Sequence, residues 1–426
     1  VNEEFDVTII GGGMVGASLA VALAPLGLRV ALVESIPHDA AAQPSFDERT
    51  TALSNGSRRI LETLGVWPTV AAAATAIRKI HVSDQGHFGF ARIDAAEQGL
   101  AAMGFVLPNR ALGAALWERI EGAAAIRVFC PAEVERIEPG LDDSRVAIDV
   151  RLAGDATPSA IRTRLVVAAD GVHSSVRSAF GVEASSRDYG QTAVITTILP
   201  QRFHDHVAYE RFTDSGPLAL LPLGDGRCTL VLTLNHTLVD TALGWTDGEF
   251  LAEVQGRFGF RLGRFLKVGR RSAYPLSLTH AARTSAGRCV IVGNAAQGLH
   301  PVAGMGFNLG LRDVACLAET IAESTAPPPG GSGDAVGAAD PGEARVLAAY
   351  DAWRARDRRA VIGFTDGLVR VFSHPGSLVR GVRNLGLLAF DALPPAKSAL
   401  SRLSTGADGR IPKLARGVPL ARGGGP

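Results

Sequence analysis

The sequence predicts an α/β protein: a Rossmann-like dinucleotide-binding domain, an inserted mixed β-sheet domain and a C-terminal helical region. Three observations carry this. An apolar run at 5–10 is followed at once by Gly11-Gly12-Gly13-Met14-Val15-Gly16 and then by a helical pattern over 17–26. Between 191 and 274 the periodicity changes to two, with aromatic and β-branched residues, as suits strands with one covered face. From 343 onward helical stretches with apolar faces take over.

Strand, G-x-G-x-x-G turn and helix, in that order, make a dinucleotide site. Gly11 allows the tight turn, Gly13 lets the backbone approach a pyrophosphate, and Gly16 lets the helix pack close on the strand. The helix N-terminus offers free N–H groups and a partial positive charge to the phosphates. A second strand, 29–33, ends at Glu34. A carboxylate at that spacing accepts hydrogen bonds from a ribose 2′-OH.

The polar stretch 35–47 reads as a loop leading past Arg49 into a helix over 56–64. Arg49 lies at the mouth of the nucleotide fold, where it reaches a ribityl chain or phosphate or simply stays solvated. Short strands are predicted at 77–82, 89–93 and 104–107, and a helix over 111–121 with Asn109 as its N-cap. Arg110 in the first turn opposes the helix dipole, which points to an anionic partner.

Strands at 126–130, 133–137, 146–152 and 160–163 form a meander, and 163–169 is a buried strand returning to the nucleotide sheet. It ends in Asp170-Gly171 and a new helix, repeating the opening design. The inserted sheet takes strands at 194–199, 206–212, 217–222, 227–234 and 271–275, with a helix over 247–258. On its strands Tyr209 and Arg211 share one face and Glu210 the other, while Phe212, Leu218, Leu220 and Pro222 make either a pocket wall or sheet core. A turn and strand at 287–293 leads through Gly293-Asn294 and His300-Pro301 to Gly304-Met305-Gly306-Phe307-Asn308 and a helix to about 325. Glycines there form a backbone concavity suited to a phosphate or a cofactor ring edge.

Composition excludes several classes. With 43 Lys+Arg against 42 Asp+Glu, the net charge of +1 supplies no basic field for nucleic acid. The 4 cysteines form no C-x-x-C pair and no metal-ligand spacing, so no metal is expected and they read as small buried hydrophobes of a reducing compartment. The nucleotide strand begins too early to leave room for a signal peptide. No apolar run reaches the length of a membrane span. The expected location is the cytoplasm, with at most peripheral contact with the inner membrane.

Gly11-x-Gly13-x-x-Gly16, Asp170-Gly171, and Gly293-Asn294 with Gly304-x-Gly306-x-Asn308 stand at distances that resemble the single-component FAD-dependent aromatic hydroxylases, the p-hydroxybenzoate hydroxylase type. Within that group, residues 77–89, 210–222, 272–283 and 293–313 are most similar to the ubiquinone-biosynthesis hydroxylases. The resemblance implies FAD as cofactor, NAD(P)H as a transiently docked co-substrate, O2 as oxidant, and a hydrophobic polyprenylphenol such as 2-octaprenyl-6-methoxyphenol as substrate, with other ubiquinone-pathway proteins as partners. It implies that Gly11, Gly13 and Gly16 hold the pyrophosphate, Glu34 the adenosine ribose, and Arg49 and Arg110 the ribityl-phosphate portion. Asp170-Gly171 would serve FAD and the nicotinamide cofactor, Gly293-Asn294 the ribityl chain, and Gly304, Met305, Gly306 and Asn308 the isoalloxazine ring. The family's Asp is Asn294 here, which keeps an acceptor and loses a charge. His300 and Pro301 fall where the family loop passes beside flavin and substrate, with His300 the first candidate for a polar contact or proton acceptor.

The FAD-binding domain is expected in three parts, 1–76, 109–188 and 277–325, interrupted by substrate-domain strands at 77–108 and a β-sheet substrate domain at 189–276. A flexible loop at 326–342, C-terminal helices at 343–402 and a disordered tail at 403–426 complete the chain. The helix over 379–393 is expected to dock on a membrane, a partner or the protein's own core. Two other functions stay open: the same chemistry on a soluble aromatic, marked by a closed polar cavity with an Arg for a carboxylate, and a flavin-bound component without turnover.

Overall fold

The opening strand, Glu3–Ile10, lies in the middle of a sheet because both its neighbours are as apolar as itself. Val7–Ile10 pairs in parallel with Val30–Val33 on one side and with Leu165–Ala168 on the other. Ile126–Phe129 and Cys289–Ile291 extend the parallel ladder outward. This is a computed structural model, and it describes residues 3–139, 144–325, 340–373, 377–405 and 410–421. Strands buried on both faces need helices on both sides. Helix Met14–Leu23 is buried from Gly16 to Leu23, packed among the sheet and helices Asn109–Glu121 and Met305–Thr325.

The meander and the returning strand, predicted separately, share one continuous strand, Ser159–Ala168. Its first half pairs antiparallel with Val146–Leu152 and its second half parallel with the opening strand. The second sheet is mixed: its strands run antiparallel except where Val207–Thr213 lies parallel to Lys79–Asp84. Two helices, His236–Gly244 and Asp247–Phe258, cover one face, where the sequence predicts only the second. Thr246 caps the latter in a reciprocal box with Glu249. Leu218, Leu220, Leu230 and Leu232 are buried with Phe250, Val254 and Phe258. The expected alternative of Leu218 and Leu220 as a pocket wall is thereby settled: they are core.

The long helix Ala344–Ser373 joins the two halves. Its Tyr350 is buried in the nucleotide core, and its Phe372 stacks on Phe212 of the second sheet at 3.5 Å between ring centroids. Helix Ser377–Ala392 docks on the chain's own sheet edge. Arg383 clamps Asp84 at 2.8 and 2.9 Å, and Asn384 accepts from the Gly89 amide at 2.8 Å. Among the described residues, no helix is long and apolar enough to cross a membrane.

The predicted tail is a correction. Within 403–426, residues 403–405 end helix Pro394–Thr405, and Leu414, Ala415 and Leu420 are buried in the nucleotide core. Arg410 pairs with Glu319 at 2.8 Å, and Trp353 Nε1 donates to the Arg410 carbonyl at 2.9 Å. Apolar side chains separated by Pro412, Gly417 and Pro419 carry no periodicity, so the segment reads as loop although it straps the core. Of the expected flexible loop, 326–339 lies outside the described residues, while Asp340 pairs with Arg288 at 2.8 Å.

Candidate functional site

Parallel strands end together, and the turns that follow them meet at one edge of the sheet. Gly11 has φ +103°, and a Cβ there would lie 2.4 Å from the Ala169 carbonyl oxygen. A Cβ on Gly16 would lie 1.8 Å from the Gly11 carbonyl oxygen, so Gly16 seats the helix on the turn. Glu34, at the end of the next strand, accepts from the Gly12 amide at 2.5 Å and the Ile36 amide at 2.9 Å. Gln43 donates to the Ile36 carbonyl at 2.9 Å and accepts from the Ser45 amide at 3.0 Å, which folds the 35–47 loop beside the glycine turn. Asp170 accepts from the Val176 amide at 3.2 Å through one oxygen. Its other oxygen, Oδ1, is buried without a partner.

A cavity of about 1010 Å³ runs from this edge to the second sheet. It brings together Gly11, Gly13, Glu34, Arg49, Asp170, Gly171, Asn294, His300, Pro301, Gly304 and Gly306. Arg49 is fixed at its mouth by Asp47 at 2.6 Å and by the Tyr274 ring, whose centroid lies 4.4 Å from the guanidinium carbon. Five predicted residues do not line it. Arg110 is exposed and pairs with Glu48 at 3.1 Å; the dipole argument treats it alone, and a neighbouring carboxylate answers its charge instead. Gly16 packs as above, Gly293 lies against Val15, and Met305 is buried with Leu309 and Val361. Asn308 is a clamp: its amide donates to the carbonyls of Ala52 at 2.8 Å and Gly304 at 2.7 Å, and its oxygen accepts from the Ser54 amide at 2.8 Å.

The loop helix begins at Met305, earlier than the glycine pattern suggests, so Gly306 is helical and Gly304, at φ +59°, makes the turn. Asp313 steadies the loop from below. It is fully buried and accepts from Gln297 Nε2 at 2.8 Å and Arg354 Nε at 2.8 Å. His300 is buried, and its Nδ1 accepts from the Val302 amide at 3.1 Å. Burial pushes its pKa down to about 4. The ring is therefore neutral at neutral pH, with its proton on Nε2, which has no partner. That leaves a hydrogen-bond donor and corrects the expectation of a proton acceptor.

The second sheet turns its other face to the cavity. Ile80, Ile195, Ala208, Ala219, Leu221 and Val231 line it. Tyr209 borders the cavity, but its ring packs edge-on against Phe258 at 5.3 Å on the opposite face, where Arg211 Nε donates to the Arg257 carbonyl at 2.8 Å. Glu210 therefore faces the cavity, which it lines. It is the one charged side chain on that wall among the described residues. Burial alone pushes its carboxyl up to about 7.

Sequence reasoning missed Gln43, Asp313 and the role of Asn109. Asn109 is the first helical residue after Pro108 and not the cap; it lines the cavity and accepts from Thr51 Oγ1 at 2.7 Å. A signal for Asp313 was present: an Arg-Asp pair inside an otherwise apolar helical run.

Residues 4–327 match the family described as FAD binding domain. The chain is 37% identical over 423 residues to the ubiquinone hydroxylase UbiL of Rhodospirillum rubrum, across 98% of this chain and 94% of that protein. It is 30% identical over 395 residues to the 3-demethoxyubiquinol 3-hydroxylase of Escherichia coli, across 91% of this chain and 95% of that one. Among solved structures, p-nitrophenol 4-monooxygenase PnpA from Pseudomonas putida superposes with a TM-score of 0.73 at 20% identity, across 94% and 97% of the two chains; at that identity the likeness shows the fold. Domain, motif turns and relatives agree, and the chain belongs to the FAD-dependent hydroxylases of ubiquinone biosynthesis.

Proposed function

We propose that this monooxygenase hydroxylates the ring of a prenylated phenol, 2-octaprenyl-6-methoxyphenol being the type of substrate, with NAD(P)H as electron donor and O2 as oxidant. The observation that carries the choice of substrate is the sheet wall. Its lining is mostly aliphatic, with Pro217, Thr233 and Tyr274 beside it, and among the described residues it carries no cation and one charge, a carboxylate. An aliphatic wall takes a polyprenyl tail by burial of apolar surface, whereas a soluble aromatic acid would meet Glu210 on that wall, the Arg49 guanidinium being held at the cavity mouth by Asp47.

The nucleotide edge fits FAD on two structural grounds. The glycine turns are closed to any side chain at Gly11 and Gly16, and Asp170 Oδ1 and His300 Nε2 are buried polar atoms that lack partners. Gly11 and Gly13 would hold the pyrophosphate at the helix N-terminus, with Glu34 toward the adenosine ribose and Arg49 toward the ribityl phosphate. Asp170, Gly171 and Asn294 would take the ribityl hydroxyls, and Gly304 and Gly306 the ring. Gly16, Gly293, Met305 and Asn308 support this surface from behind, and Arg110 stands outside it. When bound, FAD would supply the redox chemistry that couples NAD(P)H and O2 to oxygen insertion into the substrate ring. The protein binds, orients and excludes water. His300 would donate from Nε2 to a group held beside it, and Pro301 presents a rigid, donor-free edge.

The test is NAD(P)H oxidation by the flavin-loaded protein with and without added polyprenylphenol. The expected result is stimulated oxidation with a product heavier by one oxygen atom. Peroxide release with no hydroxylated product would contradict the proposal.

A further inference from the structure

Glu210 lies on a wall built mostly of aliphatic side chains, and its neighbours in the sheet indicate where its carboxyl stands. Val82 is its register partner on the parallel strand, and Phe212 follows two residues on along the same face. Phe212 shares a buried cluster with Val302, which directly follows His300-Pro301, and Val82 packs against that cluster. The carboxyl thus stands beside the 300 loop, at the end of the cavity where the reacting ring would be held. Its own ladder neighbours, Val82 and Ala219, offer no polar side chain.

We propose that Glu210 takes the phenolic proton of the substrate as its ring is oxygenated. The proposal rests on the hydroxylase reading above and names the residue that handles its proton. The other polar groups near this end are occupied or are not bases. Thr233 Oγ1 also lines the cavity without a partner, but a hydroxyl is no base at neutral pH, and Tyr189, edge-on to His300, donates to Asp366 at 3.2 Å. His300 has no free lone pair, since Nδ1 accepts from the Val302 amide. Tyr274 donates to Asp47 Oδ2 at 3.2 Å. Asp84, on the same face of the neighbouring strand, is held by Arg383 and Asn384. Tyr209 and Arg211 on Glu210's own strand point to the opposite face. No charged group adds to the effect of burial on Glu210.

The step balances. The phenolic O–H bond breaks, its proton passes to a Glu210 oxygen, and its electron pair becomes the carbonyl of a cyclohexadienone. The ring carbon gains its new C–O bond to one atom of O2; the other atom leaves as water, and NAD(P)H supplies the two electrons. The ring carbon then loses its hydrogen as a proton, the ring regains aromaticity, and the carbonyl oxygen takes its proton back from Glu210. A free phenol has a pKa near 10, too high for appreciable ionisation at neutral pH. An acceptor poised near neutrality both takes and returns a proton efficiently.

The test uses the flavin-loaded protein and a short prenylated phenol, 2-(dimethylallyl)phenol, in wild type, E210Q and E210A. Flavin content and Tm establish that each variant is folded, and the two variants stand in for one another if one is not. Infrared spectra between pH 5 and 9 read the carboxylic acid band lost in the variants. The expected result is a wild-type band that titrates near pH 7, and an acidic limb near the same pH in the hydroxylation rate. Both variants should lose that limb and about 10²- to 10⁴-fold in rate, with E210A partly rescued by added acetate. Product from wild type together with variants that keep its rate and its limb would overturn the assignment of Glu210 alone. A wild-type protein that makes no hydroxylated product overturns the hydroxylase reading, and this one with it. A Glu210 band that does not titrate between pH 5 and 9 overturns the assignment independently of turnover.

Discussion

At the scale of single residues, the site depends on groups whose cost is local. Gly16 is closed by the Gly11 carbonyl oxygen, 1.8 Å from where a Cβ would sit. Gly16→Ala must push the first turn of helix Met14–Leu23 off the strand. The expected loss is about 1–3 kcal/mol, read as a lower Tm and lower flavin content after purification. Glu210 has the opposite character. Its carboxyl stands at about 7 against an ordinary 4.5, so its folded pKa is raised. Its contribution is fully favourable below pH 4.5 and becomes a cost as pH rises through 7. That displacement is worth about 3 kcal/mol. Glu210→Gln should therefore raise stability at pH 8 by up to that amount and leave it unchanged at pH 4, measured by denaturant titration at the two values.

At the scale of elements, two clamps set the shape of the site. Asn308 binds the Gly304 turn to strand Thr50–Ser54 through three hydrogen bonds. Asn308→Ala leaves a buried amide and two carbonyls unanswered, for an expected loss of about 2–4 kcal/mol and weaker flavin retention, read by calorimetry and absorbance. Arg383 and Asp84, exposed by only 7% and 2%, hold helix Ser377–Ala392 on the sheet. Asp84→Ala strands a buried guanidinium and should cost about 3–5 kcal/mol, with hydrogen exchange rising first in Ser377–Ala392. Such clamps were not legible in the sequence, because each joins residues far apart in the chain. What was legible was local. Gly11 and Glu34 could be placed because a tight turn and a strand end depend on near neighbours. The parity of Tyr209, Glu210 and Arg211 was legible for the same reason, but not which parity faces the cavity. That required knowing that helices His236–Gly244 and Asp247–Phe258 cover the other side.

At the scale of the whole molecule, the two larger sheets are joined by the long helix Ala344–Ser373 and share the cavity between them. Val361 packs behind Met305 and Phe372 behind Phe212, so the helix that spans both halves also backs both sides of the substrate end. Acid should loosen this packing. Burial holds His81 and His300 at about 4, below their ordinary 6.5. With folded pKa values depressed, their neutral forms give full stability above pH 6.5, and that stability is lost as pH falls toward 4. For His300 alone this is about 3 kcal/mol. Thermal scans should show Tm falling between pH 6.5 and 4, and His300→Gln should flatten part of that fall. The most direct measurement of function is mass spectrometry of the product formed from a polyprenylphenol, NAD(P)H and isotopically labelled O2. One labelled oxygen atom on the ring, with one NAD(P)H consumed per product, is the predicted result. NAD(P)H consumed with all labelled oxygen recovered as peroxide, and an unchanged phenol, would contradict it.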